Sequence, residues 1–183
     1  MRSTRFLFTS GSVNWFHAGL LVLFIAGSVM VAPHLPERIP IHYGFDGRVD
    51  ATTPSSGGAW YLLPGIAVAM ALFLRGLAAV AAEADTWKLT DEELRQFRTL
   101  PDAEQAELVE SVRCNLAQIS IAISVVFVAI QTGNYMVATT GESSLPVAVW
   151  GVMITAIASV FFLAFSHDRE LKRRIHSSPA ANL

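Results

Sequence analysis

Cysteine is almost absent. Cys114 stands alone among 183 residues, which excludes an intrachain disulfide framework and a zinc–thiolate cluster. Charge is scarce as well: Asp, Glu, Lys and Arg make up 15% of the chain, against about 25% in an ordinary soluble domain. That deficit excludes intrinsic disorder and argues against a soluble enzyme. The net charge of −2 leaves no basic surplus, so no nucleic-acid partner is expected. No Gly-rich phosphate loop, nucleophile elbow or Ser/His/Asp order is present. The expectation is therefore a protein that is not an enzyme and carries no cofactor. No repeat of 20–50 residues and no low-complexity tract interrupts the chain.

What the chain has is apolar length. Four stretches approach the roughly 20 residues needed to cross a hydrocarbon core about 30 Å thick. They are residues 13–32, 59–82, 112–139 and 145–166. Backbone groups in lipid must satisfy one another, so each is read as a helix. The expected fold is an all-α, integral membrane four-helix bundle forming a single domain over 1–183. A cleaved signal peptide is the rival for the first stretch. It is disfavoured by the length of the run and by Pro33, which stands where a small-residue cleavage site would lie.

Basic residues give an orientation. An even number of spans places both termini on one side with the loop at 83–111. That side would hold ten Lys and Arg residues against two, Arg38 and Arg48, on the other. The positive-inside rule then predicts cytoplasmic termini, in a multi-pass protein of the cell (inner) membrane. Trp15, Trp60, Tyr61 and Trp150 are expected as interfacial anchors near span ends.

The loop at 83–111 carries nine of the fifteen acidic residues. Thr90 followed by Glu93 is a capping-box pattern and predicts a short helix with Leu94 and Phe97 on one face. Pro101 ends it. Asp102 is then expected to cap a second helix running unbroken into the third span. This acidic loop is read as a solvated face, its short helix lying at the interface, or as a contact for a cytoplasmic partner. The basic tail, 167–183, reads as a topology anchor that could also attract anionic lipid.

The first loop, 33–58, is the informative one. Pro33, Pro36 and Pro40 forbid a helix, Ile39 to Tyr43 should be extended, and Asp46-Gly47 is a turn dipeptide. A stiff, bent structure is expected. His34, His42, Asp46 and Asp50 have ligand chemistry, but their spacing matches no established metal motif, and no metal site is predicted. The simpler reading pairs His42 with Asp50 or with loop backbone.

Leu35-Pro36, Ile39-Pro40, His42, Gly47 and Asp50 follow the pattern LPxxIPxHxxxxGxxD between two membrane helices. The region 13–64 thereby resembles the bacterial membrane-protein domain of unknown function found in SdpI-type immunity proteins. Pro64, early in the second span, fits that resemblance. The lysine such proteins usually carry after the aspartate is missing from 51–58. The resemblance implies protection from a secreted killing peptide. It nominates Pro36, Pro40, His42, Gly47 and Asp50 as ligand-binding residues.

A second candidate lies inside the membrane. Arg75, in the second span, either snorkels to the interface or joins Asn14, His17, Asn115 and Gln118 in a polar pocket. Gln131, Thr132 and Asn134 are expected to cross-link helices or to line a polar cleft, Ala67, Ala71 and Ala78 to pack closely, and Cys114 to be a small core residue. The partners considered are the lipid bilayer, an extracellular peptide and a second membrane protein. Three functions remain open: immunity or resistance through the outer loop, an accessory or sensory subunit, and a small transporter.

Overall fold

The computed structural model describes residues 9–80 and 89–177. Arg2, Arg5 and Lys88 of the orientation count, the acidic residues Glu83 and Asp85, and the tail beyond Ser177 lie outside the described residues. Among the described residues are five α-helices and one two-stranded sheet. The helices are α1 (Ser10–Val31), α2 (Leu62–Val80), α3 (Asp91–Thr99), α4 (Asp102–Thr140) and α5 (Val147–Ser177). The strands β1 (Arg38–Tyr43) and β2 (Val49–Pro54) lie between α1 and α2. Helices α1, α2, α4 and α5 are each long and apolar enough to cross a membrane.

α4 is the spine. Its 39 residues extend about 58 Å at 1.5 Å per residue, roughly twice a hydrocarbon core. α1 and α2 pack on one flank and α5 on another. Small residues bring the first flank close: Ala67 and Ala71 of α2 are buried against Leu21 and Phe24. Farther from the hairpin, Val13 packs on Cys114 and Ala117. The outward faces stay apolar and exposed, including Trp15, Leu23, Phe73, Phe161 and Phe165, as a lipid-facing surface requires.

The end opposite the hairpin is a folded knot. Thr90 caps α3 in a complete capping box: its hydroxyl accepts the Glu93 N–H, and the Glu93 carboxylate accepts the Thr90 N–H at 2.7 Å. Leu100, held extended (ψ 151°) before Pro101, stops the helix. Asp102 does not cap α4. Pro101 occupies the cap position, and Asp102 lies in the first turn beside Glu104, where negative charge suits the helix dipole. α5 continues through Ser177, so the described part of the basic tail is helix. Its Leu171 and Ile175 pack with Phe97, Leu100 and Leu108. Arg174 donates to Glu107 at 2.9 Å and to Glu170 at 3.0 Å. The short helix α3 therefore rests on α5 through its apolar face, and part of the acidic segment already has a basic partner within the chain.

Candidate functional site: the docked hairpin and the two-arginine crevice

β1 and β2 pair antiparallel, from Arg38 opposite Pro54 to Tyr43 opposite Val49, with irregularities on either side of His42. A two-stranded sheet has only edges, so Pro40 is tolerated within β1. The turn closes through the Gly47 N–H donating to the Gly44 carbonyl at 2.9 Å, and Asp46 accepts the Arg48 N–H. Gly47 sits in the left-handed region at φ 76°, as the Asp-Gly pair predicts. The extended segment and its bend match the sequence expectation. The second strand is an addition, built from the Ala-Thr-Thr segment that the sequence reading left within a loop.

The hairpin is fastened to the bundle. The Tyr43 hydroxyl donates to Asn134 of α4 at 2.8 Å. The Val49 N–H donates to the Ser143 carbonyl and the Leu145 N–H to the Gly47 carbonyl, so the α4–α5 connection forms a short bridge with the hairpin. Gly47 lies against the Trp150 ring, where a Cβ would come within 3.3 Å of the indole nitrogen. Tyr43 and Val49 pack on Val137, Leu145 and Val149. Burial pushes the Tyr43 hydroxyl up to about 12, because the charged phenolate is disfavoured away from water.

The opposite side of the hairpin is open. Phe45 at the turn is fully exposed, with Ile41 half-exposed beside it. The His42 imidazole Nδ1 meets the Asp50 carboxylate at 2.6 Å, with both side chains at least half in solvent. Among the nominated ligand residues, His42 and Asp50 thus pair on the exposed side. Gly47 shapes the turn and Pro40 is buried in β1. Pro36 lies in the approach to β1, partly covered. No group of three or more His, Cys, Asp or Glu side chains among the described residues could hold a metal ion.

Beneath the hairpin, three hydrogen bonds stitch α1, the helical turn Ala59–Tyr61 that leads into α2, and α4. The Trp60 indole N–H donates to the Ser28 carbonyl at 2.9 Å, and Gln131 donates to the Trp60 carbonyl at 3.0 Å. Deeper in the bundle, His17 meets the Ser124 hydroxyl at 2.8 Å. Trp60 is therefore buried rather than an interfacial anchor, whereas Trp15 is exposed. Gln131 and Asn134 do cross-link elements. Thr132 bonds its own helix at Val128 and, with Gln131, lines an open, mostly apolar cleft between α1 and α4.

The polar groups nominated inside the membrane divide between two faces of α4. Asn14 and Arg75 line a narrow crevice with Arg113, Leu116, Ala117 and Ser120. Arg75 donates to the Asn14 carbonyl at 3.1 Å, and Arg113 to the Ala78 carbonyl at 3.3 Å. Asn115 instead donates to the Leu163 carbonyl of α5, and Gln118, three residues on, shares that side. The helical period explains the split. At about 100° per residue, residues 113 and 120 align, while 115 points nearly opposite. Arg113, at the start of the third apolar stretch, and Ser120 lie outside the set nominated from the sequence. Their seven-residue spacing was the available signal.

Residues 19–68 match the family described as a domain of unknown function, DUF1648. The match spans the second half of α1, the hairpin and the start of α2, and so includes every residue of the proline–histidine motif. Neither a curated protein nor a solved structure matches the chain.

Proposed function

We propose that this membrane protein uses its hairpin to receive a peptide from outside the cell, in the manner of an immunity or resistance protein. The reading places the hairpin on the outer face of a bacterial inner membrane, with both termini in the cytoplasm. The carrying observation is a contrast within one small element. The hairpin is anchored through Tyr43, Gly47 and Val49 yet keeps Phe45, Ile41 and the His42–Asp50 pair uncovered. An anchored frame with an exposed aromatic knob lowers the ordering cost of binding, and aromatic residues are favoured contact anchors. An exposed ion pair adds at most about 1 kcal/mol to stability, so binding is the better use for His42 and Asp50. No catalytic step or cofactor is involved. The resemblance of the motif to SdpI-type immunity proteins agrees with this reading.

The test is survival. Expression of the chain in a sensitive bacterium should protect it from a secreted killing peptide. Phe45→Ala and the pair His42→Ala, Asp50→Ala should abolish protection at unchanged membrane abundance. Full protection by both variants would remove the hairpin from the function.

A sensory reading has one specific observation behind it. α4 runs without a break from the hairpin's Asn134 seat to Leu108 in the knot with α3 and α5. A ligand that tilts the hairpin would move that knot. Hydrogen exchange in α3 that changes on peptide addition would favour a relay over simple sequestration.

A further inference from the structure

The crevice at the end opposite the hairpin brings together two cations that no carboxylate among the described residues pairs with. Arg75 of α2 and Arg113 of α4 line it together, both half-buried. Among the described residues, neither makes an ion pair with a carboxylate. Glu110, one turn before Arg113 on α4, directs Oε1 to the Ser10 N–H at 2.7 Å. Each guanidinium carries five N–H donors, and each gives one hydrogen bond to a main-chain carbonyl. The crevice they line is otherwise walled largely by Leu74, Ala78, Leu116 and Ala117. Two like charges half-buried among apolar side chains favour a nearby counter-charge.

Ser120 supplies an independent sign of a missing partner. It is 3% exposed, lines the same crevice, and its hydroxyl has no hydrogen-bond partner. Other helical hydroxyls in this chain fold back onto a carbonyl one turn earlier, as Ser28, Thr132, Thr155 and Ser159 do. The Ser120 hydroxyl does not.

We propose that Arg75 and Arg113 bind the phosphate of an anionic phospholipid from the leaflet opposite the hairpin. Guanidinium and phosphate match in charge and in paired hydrogen-bond geometry. The depth is suitable: in the sequence the apolar stretch ends at residue 82, seven positions and about 10 Å of helix beyond Arg75, a distance a guanidinium shortens by snorkelling toward the headgroups. The enclosed part of the crevice measures about 10 Å³, room for one water. The phosphate therefore rests at the mouth against the guanidinium edges, and a water behind it reaches Ser120. Bound there, the lipid bridges α2 and α4 at an end where Arg75 and Arg113 otherwise brace only main-chain carbonyls. The proposal is independent of what the hairpin binds.

The test reads lipid retention. The full chain is reconstituted in bilayer discs of equal phosphatidylglycerol and phosphatidylcholine, extracted in mild detergent, and its bound lipid is measured by native mass spectrometry. Both lipids offer the same phosphate oxygens, but the quaternary ammonium of phosphatidylcholine opposes the two guanidiniums, so wild type should hold phosphatidylglycerol about tenfold over phosphatidylcholine, a difference of about 1.4 kcal/mol. Arg75→Gln with Arg113→Gln should bring the ratio to about one, and Ser120→Ala should lower it less. Arg169→Gln, a basic site elsewhere on the same side, should leave it unchanged. If the double variant loses helical circular dichroism, Arg113→Gln alone carries the comparison. Equal retention of the two lipids by wild type overturns the proposal, and so does an undiminished ratio in the folded arginine variant. Displacement of the lipid by inorganic phosphate would assign the site to a soluble anion and overturn the lipid assignment.

Discussion

Gly47 carries two constraints at once. Its φ of 76° suits glycine, and a methyl group on its α-carbon would press on the Trp150 ring at 3.3 Å, so the indole would have to give by a few tenths of an ångström. Gly47→Ala should cost about 1–3 kcal/mol through the left-handed backbone alone, more once the indole is displaced. Thermal unfolding in detergent, followed by Trp fluorescence, should show the loss. Tyr43 gives a pH signature. Its folded value of about 12 lies above the roughly 10 of an unfolded chain, so the folded state keeps the proton longer. Its stabilising contribution is fully present below pH 10 and fades as pH rises through 12. Tyr43→Phe should remove that alkaline step and weaken docking by about 0.5–1.5 kcal/mol through the lost bond to Asn134. A stability-against-pH series on both proteins checks the sign.

At the scale of elements, α3 depends on its first turn. Donation from the Thr90 N–H holds the Glu93 carboxyl below the usual carboxylate range. The stabilisation from this box is therefore present above the ordinary carboxylate pKa and is lost as pH falls through the lowered one. Thr90→Ala should destabilise α3 by about 1 kcal/mol. Hydrogen exchange should then speed up in 91–99 while the hairpin amides stay protected. This box was legible in the sequence because capping is local: Thr90 and Glu93 are three residues apart. The Asp-Gly turn and the unbroken entry into α4 were legible for the same reason. β2 was not, because Ala51, Thr52 and Thr53 offer no alternation of large apolar side chains. Its bridge to the α4–α5 connection joins positions about 95 residues apart and has no local signal. Of the polar pocket, Arg75 stood out because a charge inside an apolar run is conspicuous. Its partner Arg113 did not, since it falls where charges are common, at the edge of a span.

Across the whole molecule, the four long apolar helices were written plainly in composition, and the positive-inside count adds a side. That orientation predicts a labelling pattern. The chain's one native cysteine, Cys114, is buried, so it should contribute little background. Phe45→Cys should react with a membrane-impermeant maleimide in intact cells. Thr99→Cys, on the exposed side of α3, should react only after permeabilisation. The reverse pattern would invert the molecule and move the hairpin to the cytoplasm.

The stitching of both hairpin-side connections into one piece has a mechanical corollary. Val49 and Leu145 tie the crossing from α1 to α2 to the crossing from α4 to α5, much as a rivet joins the two arms of a pair of tongs. Prising the two arms apart at the rivet would break both bonds together, so their separation would have to start at the far end, against the Ser10–Glu110 and Arg113–Ala78 bonds.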